Sequence, residues 1–217
     1  MSSAMFDLIL KATLDTLYMV GISGVISALL GIPLGVLLYV TRPRQVLANP
    51  ALNGVLGIIT NIGRSVPFII LMVAIIPFTR MLVGSSIGTN AASVPLTIAA
   101  IPFIARLVEG ALNEVSPGLV EAAQSMGATP WQIITRVLLP EARGGIFTAL
   151  TVTAVTLISY SAMAGAVGGG GLGDLGIRYG YNRFNPTIML ITVVILVVMV
   201  QLFQSLGDYL VRKSDHK

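Results

Sequence analysis

Cysteine is absent from the 217 residues, which excludes disulfides, thiolate metal ligands and cysteine nucleophiles. The single histidine, His216, stands beside the C-terminus and reads as a solvated tail group rather than a ligand. Charge is scarce: 10% of residues carry it, against roughly 25% in a soluble domain. Hydrophobic residues reach 55% and the mean hydropathy is +0.89, so water is not the main solvent of this chain. The net charge of +4 is too sparse for a nucleic-acid patch and is better read through membrane topology. No G-x-x-x-x-G-K-[ST] phosphate loop, H-E-x-x-H pair or nucleophile elbow occurs. No catalytic, cofactor-binding or metal-ligating residue is therefore expected.

What the chain does have is long apolar runs. A helix needs about 20 mostly apolar residues to cross the hydrocarbon, and five stretches qualify: about 16–41, 55–79, 84–105, 144–167 and 184–207. The first is too long for the apolar core of a signal peptide, has no A-x-A-like site after it, and is read as a retained span. In the second, Arg64 is the only charge and is expected near the cytoplasmic end, snorkelling or facing the bundle interior. Prolines 33, 67, 77, 95 and 102 fall inside spans one to three, each able to kink its helix. GIPLG (31–35) is a G-x-x-x-G, equally readable as a close helix contact or as ordinary small-residue content.

An odd number of spans puts the termini on opposite sides. With the N-terminus outside, the cytoplasmic segments hold eight basic residues (Arg42, Arg44, Arg106, Arg136, Arg143, Arg212, Lys213, Lys217) and the outer ones four (Lys11, Arg80, Arg178, Arg183). The positive-inside rule favours that orientation, with 106–143 as a cytoplasmic loop.

That loop is too long to be a plain connector, since most run about 4–6 residues. Ser116-Pro117 reads as a helix start, Ser at the N-cap and Pro at the first position. Leu119, Ala122, Ala123 and Met126 make one apolar stripe, and Gly127 can close that helix in the left-handed conformation. Thr129 and Gln132 have capping-box spacing. Ile133, Ile134, Val137 and Leu138 form a second stripe, with Pro140 expected to stop the helix. A membrane-surface helix would be richer in Lys and Arg than this segment, which has only Arg136 between Glu121 and Glu141. A partner-docking element fits better.

Glu121-Ala122-Ala123, then Gly127, Ile133 and Leu139-Pro140, resembles the EAA loop of ABC importer permeases. GRSVPFIILMVAIIPFTR, PFIARLVEGAL and YSAMAGAVGGGGLGDLGIRYGY resemble the methionine-uptake subfamily; departures lie in the N-terminal span and in NRFNPT. The resemblance implies an all-α integral membrane chain with the type I importer permease fold, in the bacterial inner membrane. It further implies a homodimer with two cytoplasmic ATPase subunits, which bind the ATP and Mg, and an external substrate-binding lipoprotein. The implied substrate is methionine, D- and L-forms. Glu121, Ala122, Ala123, Met126, Gly127 and Ile133 would form the coupling element that inserts into an ATPase cleft. Readings outside the subfamily are a permease for another small polar solute, a non-transport scaffold, or an ion-coupled carrier; the last lacks an evident mid-membrane acid or inverted repeat.

VGGGGLGDLG contains G-x-G-x-x-G at Gly168, Gly170 and Gly173, but follows an apolar helix rather than a strand, so a dinucleotide site is not expected. The glycines instead suit a chain that leaves the bilayer and folds back over the outer mouth of a path, where Asp174 and Arg178 could meet a docking protein. Ser159, Tyr160 and Ser161 are costly in lipid and should face the interior or a cavity. Tyr160, Ser161 and Met163 are the candidate path or gate residues, with plain packing an equal reading for Met163.

Overall fold

In the computed structural model, which describes residues 3–214, the described chain is helical with no strand. Among the described residues, four helices are long and apolar enough to cross a membrane, and a fifth crossing is made only by counting a bent helix pair as one span. The long ones are α1 (Ser3–Val40), α5 (Thr89–Asn113), α9 (Arg143–Gly165) and α11 (Pro186–Ser214). Helix α1 begins well before residue 16, and at 1.5 Å per residue its 38 residues extend beyond a hydrocarbon layer of about 30 Å. Helix α5 starts at Thr89 rather than 84, because Gly84 (φ 78°) and Gly88 (φ 100°) form a turn first.

The second span, expected over 55–79 with Pro67 and Pro77 each able to kink it, is not one helix. Its place is taken by α2 (Pro50–Ser65), α3 (Phe68–Ala74) and α4 (Ile76–Val83), with a bend of 100° between the first two. Pro67 is the cause. Its ring forces Val66 out of the helical region to φ −81°, ψ 123°, and it has no N–H with which to continue the ladder. Arg64 thus ends a helix at an internal break.

Helices α1 and α5 pack most intimately, and GIPLG is where they meet. A Cβ placed on Gly31 would lie 2.9 Å from Ile104 Cβ, and one on Gly35 would lie 2.6 Å from the Ala105 carbonyl. The motif is a close helix contact inside the chain. Helix α9 is central, touching α1, α5 and α11.

After α9 the backbone turns at Gly168, Gly170 and Gly171, all with positive φ. A short helix, α10 (Gly171–Leu175), then lies back against α1 and α9. The Leu172 N–H donates to Thr16 Oγ1 at 2.8 Å, and Leu172 is fully buried. A wide π turn (Gly176–Tyr181) leads towards α11. Asp174 and Arg178 pair with each other at 2.9 Å.

Candidate functional site

Three regions stand out: the helical loop between α5 and α9, the uncovered side of α9, and an ionic cluster where α1, α2 and α5 converge.

The loop is built from α6 (Pro117–Ser125) and α7 (Pro130–Ile133). Gly127 has φ +80°. The Ala128 N–H donates to the Ala123 carbonyl at 3.0 Å and the Gly127 N–H to the Gln124 carbonyl at 2.9 Å, the paired 6→1 and 5→2 bonds of a Schellman turn. Thr129 and Gln132 form the expected capping box: Thr129 N–H donates to Gln132 Oε1, and Gln132 N–H to Thr129 Oγ1. Ser116 stands at its N-cap without a side-chain capping bond. Pro140 does not stop the second helix. The backbone widens into a π turn over Ile134–Leu138, where the Leu139 N–H reaches the Ile134 carbonyl, and the chain runs on through α8 (Leu139–Glu141) into α9. The wider turn relieves the clash between the proline ring and the preceding turn that would end an α-helix.

The six residues assigned to coupling do not share one face. Ala123 (5% exposed) and Ile133 (1% exposed) are buried in a core cluster with Tyr39, Val40, Ile104, Val108 and Leu112. They hold the loop to the bundle, and filling a partner's cleft with them would mean unpacking that core. Glu121, Ala122, Met126 and Gly127 are exposed. With them stands Trp131, 72% exposed, and Met126 is 81% exposed. Trp131 was not singled out in the sequence. Its signal was the capping box, which places it in the first turn of α7 on the side away from Ile133 and Ile134.

The three path residues also separate. Ser161 is buried, and its Oγ donates to the Ile158 carbonyl at 2.7 Å within its own helix, so it opens on no path. Tyr160 stacks on Phe68 with centroids 4.5 Å apart and planes at 6°, pinning α3 to α9. Only Met163 is open, in a groove of about 640 Å³ shared with Ser159, Ala162, Val197 and Gln201. Thr148, Val152, Ser159 and Met163, all exposed, run along one side of α9. A central helix with an uncovered, partly polar side is unsuited to lipid alone.

At the third region Glu109, 3% exposed, accepts from Arg42 Nη2 and from Arg106 Nη1, each at 2.6 Å. Arg42 also donates to Asn113 Oδ1, and Arg106 to the Gly57 carbonyl and Asn61 Oδ1. Glu109 is the one buried carboxylate among the described residues, and both its oxygens are occupied by guanidinium groups. It is a structural ion rather than a free proton carrier. No group of His, Asp and Glu able to hold a metal occurs among the described residues.

Residues 31–216 match the model of the family described as binding-protein-dependent transport system inner membrane component. The chain belongs to that family. Among curated relatives of this permease, a probable D-methionine transport system permease protein MetI from Vibrio cholerae is 64% identical over 97% of this chain and 94% of its own length. A namesake from Pasteurella multocida is 49% identical over the full length of both. Among solved structures, a chain of the MetNI methionine ABC transporter, from a study of inward-facing conformations, superposes with a TM-score of 0.98 at 53% identity over 100% of both chains. A chain of an amino acid ABC transporter with histidines matches at TM-score 0.78 and 22% identity, covering 97% of the permease and 95% of that chain, a likeness of fold alone. The fold is thus the all-α one of ABC importer permeases.

Proposed function

We propose that this permease forms the translocation path of an ATP-driven importer for methionine, in D- and L-forms. It works as a homodimer, with two cytoplasmic ATPase subunits and an external substrate-binding lipoprotein. The relatives named for methionine transport support the substrate. The observation that carries the mechanism is the elbow of α6 and α7. Its inner side is bound to the bundle core through Ala123 and Ile133, and its outer side presents Met126 and Trp131. Exposed residues of this size mark contact surfaces, and the arm bearing Trp131 leads through the π turn and α8 to α9, with the single turn residue Ala142 between them.

On this reading, ATP and Mg bind to the partner subunit, and closure of the ATPase pair pushes the two elbows together. Each elbow moves its α9, and the uncovered sides of the two central helices, with Ser159 and Met163, face each other across the path. Nucleotide binding then biases a two-state equilibrium between inward- and outward-facing arrangements. Loop 106–143 and the C-terminus are cytoplasmic, the N-terminus external, and the bilayer surrounds the exposed Leu, Ile and Val of α1 and α11. Spans one, three, four and five are α1, α5, α9 and α11, and the broken series α2–α4 is the second.

The test is uptake of labelled D- and L-methionine by the reconstituted complex with ATP and binding protein, with other amino acids as competitors. Uptake that is ATP-dependent and displaced only by methionine-like compounds supports the reading. Uptake driven by an ion gradient without ATP, or preference for another solute, overturns it.

A further inference from the structure

Arg64 is the only charge between Gln45 and Thr79, and the fold places it in the last turn of α2, at the break before α3. Its guanidinium carbon lies 6.0 Å from the centroid of the Phe103 ring. Phe103 is ten residues short of the Asn113 end of α5, about 15 Å at 1.5 Å per residue. A cation facing hydrocarbon is costly, and helix geometry sets Arg64 on the side of α2 away from its exposed apolar residues. At 100° per residue, Asn53, Gly57, Asn61, Arg64 and Ser65 lie on one flank of α2. Val55, Ile58, Ile59 and Ile62, each 55–61% exposed, lie on the other.

The polar flank continues a seam. From the loop end of the bundle it runs through Arg42, Glu109 and Arg106, then Asn61, which accepts from Arg106 at 2.9 Å, and ends at Arg64 where α2 breaks. The seam holds three guanidinium groups against one carboxylate. Glu109 engages Arg42 and Arg106. Arg64 has no carboxylate partner among the described residues and remains exposed. The seam therefore has spare positive charge where α2 breaks, and an arginine there presents a fork matched to a carboxylate.

We infer that Arg64 receives the carboxylate of the amino-acid substrate as it passes towards the cytoplasmic side, making it a specificity-determining residue of the path. The inference rests on the function proposed above. The bend at Pro67 serves it by ending α2 just after Arg64, so that the side chain stands at a step in the wall.

The cysteine-free chain allows a direct test by charge restoration at one position. Arg64→Cys complexes are reconstituted, left unmodified or treated with methyl, 2-aminoethyl or 2-sulfonatoethyl methanethiosulfonate, and assayed for methionine uptake, ATPase content and thermal stability. Uptake should fall by at least about tenfold in the unmodified variant, as expected for a lost charged hydrogen bond, with ATPase stoichiometry unchanged. The aminoethyl adduct should recover much of it, the methyl adduct none, and the sulfonate should deepen the loss. Normal uptake by the unmodified variant, or equal recovery with methyl and aminoethyl groups, overturns the inference. So does thermal stability that follows the same series, which would make Arg64 a structural cation. Should Arg64→Cys fail to assemble, Arg64→Lys decides. Uptake reduced from wild type but clearly above that of an assembled Arg64→Gln complex, as expected for a retained charge without the fork, supports the assignment, and uptake by Arg64→Lys no better than by Arg64→Gln overturns it. Absence of methionine uptake by the wild-type complex would instead count against the proposed function.

Discussion

Arg42 and Glu109, separated by 67 positions in the chain, meet at 2.6 Å at the loop end of the bundle. The pair ties the turn after α1 to α5 just before the elbow begins, and the second oxygen of Glu109 ties in Arg106 and through it α2. Glu109→Gln keeps the shape but leaves two guanidinium groups facing each other over a neutral amide. Removing one partner of a buried pair costs about 3–5 kcal/mol, and the low end applies here because both arginines keep some contact with water. A lower unfolding temperature of the detergent-solubilised complex would record it; an unchanged one would show that the cluster contributes little to stability.

The contact of α1 with α5 allows no side chain at Gly35. Gly35→Val is expected to destabilise by at least about 1–3 kcal/mol through overpacking, because the obstacle is the Ala105 carbonyl, a backbone atom that cannot rotate away. Gly21→Ala in the same helix is the control: nothing lies within 4 Å of its would-be Cβ. Thermal stability and membrane yield of the two variants should diverge; similar values would refute the close-approach argument.

Gly127 is a different kind of glycine. Its φ is +80°, yet no atom of the chain outside its immediate neighbours lies within 4 Å of a would-be Cβ. Backbone strain alone should cost Gly127→Ala about 1–2 kcal/mol. Gly127→Val should do more if an ATPase lies against this turn, abolishing co-purification of the partner while the permease still inserts. An ATPase retained at normal stoichiometry would count against docking here.

Trp131 is expected to carry much of that docking, since large exposed aromatics are frequent anchors of interfaces. Trp131→Ala should leave the thermal stability of the isolated permease unchanged, because the side chain is 72% exposed. ATPase affinity should drop at least about tenfold, the effect of a hot-spot residue, as measured by titration of the partner. Unchanged affinity would move the interface elsewhere.

Sidedness can be read with single cysteines. Asn182 and Ser125 are both exposed, at opposite ends of α9. Cysteine at 182 should react in intact cells with an impermeant thiol reagent, and cysteine at 125 only after the membrane is opened. The reverse result would invert the topology.

The apolar runs, the scarcity of charge and the punctuation of the loop were all legible in the sequence, because each depends on neighbours within a turn or two. Hydrocarbon length sets how many apolar residues a crossing needs. Pro130 after Thr129, Gln132 three residues on, and Gly127 after a helical run fix local backbone states whatever surrounds them. The resemblance of the loop and glycine run to a known family was legible for the same reason, being carried by contiguous residues. Tertiary structure decided whatever depends on which side of a helix meets another. An apolar stripe does not reveal whether it will be covered by its own bundle, as Ala123 and Ile133 are, or left open like Met126. A serine in a greasy helix does not announce that its hydroxyl will bond its own turn, as Ser161 does. The prolines signalled kinks, but a bend as sharp as 100° after Ser65 depended on how α3 could pack, with Phe68 stacked on Tyr160. Glu109 and Arg106 share one turn of α5, but Arg42 arrives from the turn after α1, and only close packing across glycines brings that charge within reach.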